Sequence, residues 1–373
     1  MTVKLIGAGL YPFGRWPNHT AADMTYGALR DALQMADITV DQIQAAFCGH
    51  SLPGSGGGFA VLNESGLAGI PIFNFDSACA SSSTALVMAA TAIEAGQWDV
   101  ALVLGYEKMD RGMIPSFRPH DQFEHLLGLD MQPPRYALKA QRYLADYGGS
   151  LDNLASVTVK SRRQASANPN AQFRDLVTLE DVLGSPMIAD PLTRFQCCPT
   201  TDGAAALILV SGRLDLARSG VTLAGWAVGS PSGQEAPDAG AYESTTARLA
   251  QEAYTKAGLG PEHVKVAQVH DAFTIGEVIR SEAIGICPVG EGAEWAARGE
   301  TGVGGSMPIN TDGGLLSRGH PLGATGAAQL TEVFLQMTGR AGPRQVMPAP
   351  TVGVCQNTGG GENAATVVEV LVR

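Results

Sequence analysis

The chain has 373 residues, 45% of them apolar and 16% charged, enough for a large buried core and for two structural units. Its 36 acidic residues against 25 basic ones leave a formal charge of −11. That balance argues against a duplex nucleic-acid binder, which needs a basic face.

No basic-then-apolar leader opens the chain, and no run of about 18 apolar residues could span a bilayer. A soluble, cytoplasmic protein without membrane insertion is expected. Six cysteines (48, 79, 197, 198, 287 and 355) are too sparse for a disulfide framework and are expected as thiols. Cys197 and Cys198 are adjacent, unlike the two-residue spacing of a zinc knuckle, and no bound metal is expected.

In chain order, "VKLIGAGL" at 3–10 reads as an apolar strand. "ALRDALQMADITVDQIQAAFCGHS" then reads as an amphipathic helix, a turn, a short helical turn and a buried strand. The same order returns after a second strand, "VTLAGWAVG" at 221–229. There "LAQEAYTKAGLGPEHVKVAQVHDA" sets Ala257 against Ala36, Leu259 against Ile38 and Val264 against Ile43. Each half closes on an apolar run, at 204–211 and 364–372. Strand and helix patterns alternate in both, so a duplicated α/β unit with mainly parallel sheets is expected. The halves are read as 1–215 and 216–373. Residues from about 106 to 200 break the pattern with Met109, Met113, Phe117, Phe123 and Met131, and are read as an inserted loop domain covering the substrate. "GAGLYPFG" at 7–14 faintly suggests a dinucleotide-binding turn, but Pro12 sits where the helix should open, so it is rejected.

Four segments can carry chemistry. In "PIFNFDSACASSSTALVMAATAIEAGQ" an apolar strand runs into Cys79 at the start of a buried helix. Free amides and the helix dipole there favour a thiolate, so Cys79 is expected to have a lowered pKa and to act as a nucleophile. In "NTDGGLLSRGHPLGATG" His320 stands at a helix entrance of the second half, either as a capping or core histidine or as the group that takes the thiol proton. His270 ends a strand in "QVHDAFTIGE", where Asp271 either orients it or caps the next helix. "VGVCQNTGGGENAA" leads a strand into three glycines whose bare backbone can present N–H donors.

Together these segments resemble the thiolase superfamily over essentially the whole chain. They are most similar to its sterol-carrier-protein-type members and to bacterial and archaeal acetyl-CoA acetyltransferase-like proteins. "SACASSS", "HDAF", "NTDGGLLSRGHPLGATG" and the terminal Gly-rich turn occur in family order, with "DPLTRFQCCPTTDGAAALIL" at 190–209 and "GEGAEWAARGET" at 290–301 also in place. The resemblance implies duplicated halves layered α-β-α-β-α, with Cys79 taking the acyl group of a coenzyme A thioester and His320 activating it. It implies an oxyanion hole from the N–H of Cys79 and a glycine of 359–361, among which Gly359 and Gly360 are singled out. It implies acyl-CoA and CoA as substrates with no further cofactor, a homodimer or tetramer, and in some relatives a small zinc-binding OB-fold partner subunit.

The chain departs from the family where degradative members place a second cysteine, a position that aligns with Asn357. Closer relatives use the cysteine of "HDCF", and Ala272 stands there. His270 is then the expected acid/base for the proton at the α-carbon, with Cys355, Asn357 and Asp271 as weaker or orienting candidates. Cys355, two residues before Asn357, is expected on the other face of its strand. The leading expectation is thiolytic cleavage of a 3-oxoacyl-CoA or the reverse Claisen condensation. A retro-aldol lyase acting on a CoA ester and a non-catalytic lipid-carrier or scaffold subunit are the alternatives.

Overall fold

The computed structural model describes the whole chain except residues 111, 113–125, 127–130, 232–242 and 361–364. Met113, Phe117, Phe123 and Gly361 therefore lie outside the described residues.

The first half opens with β1 (Val3–Gly14) and a helix, Ala21–Ala36, whose Thr20 side chain caps it and whose Asp37 ends it in a left-handed conformation. Strands β2 (Ala45–Gly49), β3 (Ile72–Phe75) and β4 (Val100–Glu107) follow, with the helix Ser81–Glu94 between the last two. A two-stranded ribbon, β5 (Met187–Ala189) with β6 (Leu192–Thr193), precedes β7 (Asp202–Ser211). The second half repeats the plan with β8 (Val221–Gly229), the helix Ser244–Ala257 and β9 (Val266–Gln268), then the helix Thr325–Met337, β10 (Val352–Thr358) and β11 (Thr366–Val372).

The aligned repeat positions behave alike. Ala36 and Ala257 are the last residues of their helices, and Ile38 and Leu259 each donate back to the carbonyl five residues earlier. A glycine in each first strand lets the helix lie against bare backbone. A Cβ on Gly9 would sit 2.1 Å from the Ala28 carbonyl oxygen, and one on Gly225 2.1 Å from that of Ala253. The "GAG" of the first strand thus serves packing against the helix.

The described residues form a nine-stranded sheet in the order β3-β2-β4-β7-β1-β8-β11-β10-β9. In the first half only β7 runs against the common direction, and in the second only β11, so strand directions are largely parallel within each half. The halves join where β1 and β8 pair antiparallel through Val3–Leu5 and Val221–Leu223. Helices Ser81–Glu94 and Thr325–Met337 fill the central layer in one apolar cluster, while Ala21–Ala36 and Ser244–Ala257 cover the outer faces in two others.

The insertion is more regular than the loop domain expected from sequence. Its described part contains helices Gln132–Tyr147, Leu151–Ser166 and Leu179–Leu183. Tyr136, Tyr143, Leu154 and Val157 bury it against Val278 and Ile279 of helix Thr274–Ala283 in the second half. Polar composition hides such helices in a sequence, because only a narrow stripe of each is apolar.

Candidate active site

The two central helices meet with their N-termini together, and each brings one group of the site. Strand β3 delivers Asp76, whose Oδ1 accepts the Ala78 N–H at 3.0 Å. Ala78 takes a positive φ of 51°, and Cys79 sits two residues before the first turn of Ser81–Glu94. Left-handed backbone on a residue with a side chain is strained, a feature that recurs where geometry serves chemistry. From the other half, Thr201 accepts the His320 N–H at 2.9 Å and so fixes the histidine loop to the insertion's last segment.

His320 Nε2 lies 3.2 Å from Cys79 Sγ, across 241 residues of sequence. Its tautomer follows from its other nitrogen. The Thr325 hydroxyl donates to the Pro321 carbonyl at 2.9 Å, so at 2.7 Å from Nδ1 it acts as acceptor. Nδ1 therefore carries the proton and Nε2 offers a lone pair to the thiol. Asn357 orients the second histidine in the same way. Its side-chain N–H₂ donates to the Cys79 carbonyl at 2.9 Å, leaving its Oδ1 to accept His270 Nδ1–H at 2.6 Å. His270 Nε2 is then also unprotonated, and the two imidazoles stand edge to face with centroids 5.1 Å apart.

The electrostatics differ from the expectation for a helix N-terminus. Burial pushes the Cys79 thiol up to about 12, outweighing the amides of Gly360 and Cys79 that favour the thiolate. A helix terminus is worth about 0.3–1 kcal/mol, less than one pKa unit, whereas full burial moves a group by up to several. Burial, then Arg318 and Arg280, lowers His320 to about 3, and burial, Arg280 and His320 hold His270 well below its ordinary value. The resting site is a neutral thiol beside neutral imidazoles.

Iodoacetamide should accordingly label Cys79 with a rate that keeps rising to about pH 10, and ahead of buried Cys48, Cys287 and Cys355. A plateau below pH 8 would show that the helix terminus outweighs burial at Cys79, and labelling of Cys48 or Cys287 first with activity retained would show that another thiol is the reactive one.

Other expected residues fall differently. Gly359 packs so closely that a Cβ would lie 1.8 Å from the Ser77 carbonyl oxygen, but its N–H is taken by Ala365 at 2.8 Å. Of the two glycines singled out, it is Gly360 whose amide reaches the Cys79 sulfur. Asp271 does not orient His270. Its Oδ1 accepts the Leu315 N–H at 2.7 Å in the short helix Gly314–Ser317, and burial raises it to about 7. Cys355 was expected on the opposite face from Asn357, yet both face the central layer, as alternation with a period of two requires. It is 1% exposed within that core, behind Asn357 and away from the cavity.

The cavity in front of Cys79, His270 and His320 has a volume of about 810 Å³ and is walled mainly by the insertion, including Tyr136, Phe173 and Phe195. Sequence reasoning passed over Cys198 as a participant. Its N–H donates to the Ala272 carbonyl at 2.8 Å, which places it opposite the alanine on the cavity wall, where burial first and then the neighbouring thiols Cys197 and Cys79 push its own thiol well up. Ligand atoms of Cys79, His270 and His320 lie within 4.8 Å of one another, a donor set that zinc also accepts. Acyl transfer needs that thiol free.

The fold is a duplicated α/β unit in which facing helices bring a cysteine and a histidine together. The thiolase N-terminal domain model matches residues 3–213 and the thiolase C-terminal domain-like model residues 227–372, so the chain belongs to the thiolase family. It is 35% identical over 370 residues to the benzoylsuccinyl-CoA thiolase subunit BbsB of Thauera aromatica, covering 96% of this chain and 95% of that one. To sterol carrier protein 2 of Homo sapiens it is 33% identical, covering 99% of this chain and 72% of the relative. Among solved structures, an Ltp2-ChsH2(DUF35) aldolase shares the fold with a TM-score of 0.84 at 22% identity, covering 99% of this chain and 97% of that one. Among the described residues, no helix is long and apolar enough to cross a membrane.

Proposed function

We propose that the protein is an acyl-CoA acyltransferase of thiolase type, cleaving a 3-oxoacyl-CoA with CoA or running the reverse Claisen condensation through acyl-Cys79. The observation that carries this reading is His320 Nε2, deprotonated and 3.2 Å from the Cys79 sulfur. In the cleavage direction Sγ bonds to C3 of the substrate as its proton passes to Nε2. Charge separates only as that bond forms, where the amides of Cys79 and Gly360 can hold developing negative charge. The C2–C3 bond then breaks, and the enolate of the departing thioester needs one proton at C2. The proton lifted from Cys79 balances this. His270, beside His320, delivers it in cleavage and removes it in condensation. The thiol of CoA then attacks acyl-Cys79, and its proton restores the cysteine.

A retro-aldol reading draws on the aldolase neighbour, which at its identity speaks for the fold alone; the intact Cys79–His320 couple favours acyl transfer. We assign the halves to 1–215 and 216–373 and the protein to the cytoplasm. A dimer is proposed through the free edge of β3, where Phe73 and nearby Met88 are exposed. The subunit name of the bacterial relative and the two-component name of the aldolase support a partner subunit, which the family resemblance makes a small zinc-binding one.

The test is intact-mass and peptide mapping after incubation with a 3-oxoacyl-CoA. The expected result is an acyl mass on the Cys79 peptide, followed by release with CoA. Release that occurs only with a small protein copurified from the native host would establish the partner. An adduct elsewhere, or none while substrate is consumed, would remove the acyl-cysteine mechanism.

A further inference from the structure

The cavity holds a charge that this chemistry does not use. Arg162, on helix Leu151–Ser166, is only 7% exposed and lines the same cavity as Cys79. Its guanidinium carbon lies 4.4 Å from the centre of the Phe173 ring and 5.3 Å from that of Phe195. Its Nε is buried with no hydrogen-bond partner. Among the described residues the other deeply buried arginines are all paired: Arg280 with Glu243, Arg318 with Asp312 and Arg344 with Glu332. Two residues earlier on the same helix, Lys160 is paired with Glu277. Among the described residues no carboxylate stands within ion-pair distance of Arg162. Burial lowers its pKa, opposed only by the exposed Asp175.

Two aromatic faces compensate a buried cation only in part, and a carboxylate partner would complete the pairing that the other buried arginines have. The surroundings say what fits. The Phe173 N–H donates to the Ser317 carbonyl and the Gln172 N–H to that of Arg318, both at 3.0 Å, so the ring over Arg162 is tied to the loop that carries His320. Nothing in the acyl-transfer step calls on this charge, since the cations that depress His320 are Arg318 and Arg280.

We propose that Arg162 binds a carboxylate carried by the acyl group, so that the enzyme selects acidic acyl-CoA thioesters over neutral ones. A guanidinium matches a carboxylate with two parallel N–H bonds, and the Phe173 and Phe195 faces hold the guanidinium in place for it. Phosphates of the CoA carrier are the rival source of negative charge. Those are multiply charged and strongly hydrated, and fit better against exposed Arg194, which also lines the cavity. The inference rests on the cavity being the acyl-CoA site.

The experiment reads equilibrium binding rather than turnover, so it stands apart from whether cleavage occurs. The full chain with Cys79→Ala, which prevents acylation, is titrated calorimetrically with succinyl-CoA against butyryl-CoA, adipyl-CoA against hexanoyl-CoA, and CoA alone. At the length that reaches Arg162 the acidic thioester should bind at least about tenfold tighter than its neutral match. Adding Arg162→Met should erase that preference and leave the neutral thioester and CoA unchanged. If Arg162→Met folds poorly, Arg162→Lys reads the same difference, shrinking the preference without weakening the neutral ligand. No preference at either length would overturn the proposal. So would equal weakening of acidic thioester, neutral thioester and CoA alone, which would give the charge to the carrier's phosphates.

Discussion

Cys79→Ala should abolish acyl transfer, with a loss of at least about ten-thousand-fold in kcat/KM and no acyl mass retained on the protein. In the proposed reaction the sulfur is the atom that bonds to the substrate, and none of the five other thiols has the His320 imidazole at 3.2 Å. The fold should survive. Residue 79 precedes the helix rather than supporting it, and the backbone contacts that shape the turn, Ala78 N–H to Asp76 and the Asn357 amide to the Cys79 carbonyl, involve no sulfur. Circular dichroism and thermal unfolding near wild type, together with absent turnover, are therefore expected. Substantial turnover by this variant would mean that the cavity performs C–C cleavage without a covalent intermediate, as a retro-aldol enzyme does.

His270→Ala should separate the two halves of the reaction. The variant should still take an acyl group onto Cys79 from a simple acyl-CoA, because His320 and its Thr325 partner are untouched. Cleavage or condensation should fall by about a hundred- to ten-thousand-fold, the range for loss of a general acid or base. His270→Gln, which keeps a polar contact for Asn357 but cannot carry a proton, should fail in the same way. That outcome distinguishes proton transfer from mere positioning. Cys355→Ser should change little, since its side chain is enclosed by the central helices. A near-normal His270→Ala enzyme beside a dead Cys198→Ser or Cys355→Ser enzyme would move the proton-handling role to that thiol.

What the sequence makes legible follows the distance over which its signals act. The repeat shows because apolar spacing, turn and strand recur locally in both halves, down to Ala36 with Ala257. Cys79 and His320 stand at helix starts written in their own segments, and their meeting follows once the halves are known to face each other. Asp271 was less readable. Whether it served His270 or a helix depended on where Leu315 would fall. Arg162 carries no local mark, and the mark on Cys198, its pairing with Cys197, does not say what it faces, because both meanings arise from the return of the insertion to Ala272, Phe173 and the catalytic loop. The thiol's pKa failed for a different reason. A helix terminus is visible in sequence, but the depth of burial that overrides it is a property of the assembled molecule. The facing of Cys355 was decidable from strand periodicity alone.

The antiparallel seam between β1 and β8 has a consequence for how the chain matures. Neither half alone contains a nucleophile and its base, and the contact that couples them spans 241 residues. Contacts that far apart form late, after each half has paid the entropy of closing its own local loops. Helices and strands can be complete in both halves while the thiol still lacks its proton acceptor. Catalytic competence thus reports the docking of the halves rather than the folding of either one. During synthesis the thiol of Cys79 waits, without its proton acceptor, until the segment of His320, 241 residues further on, has emerged.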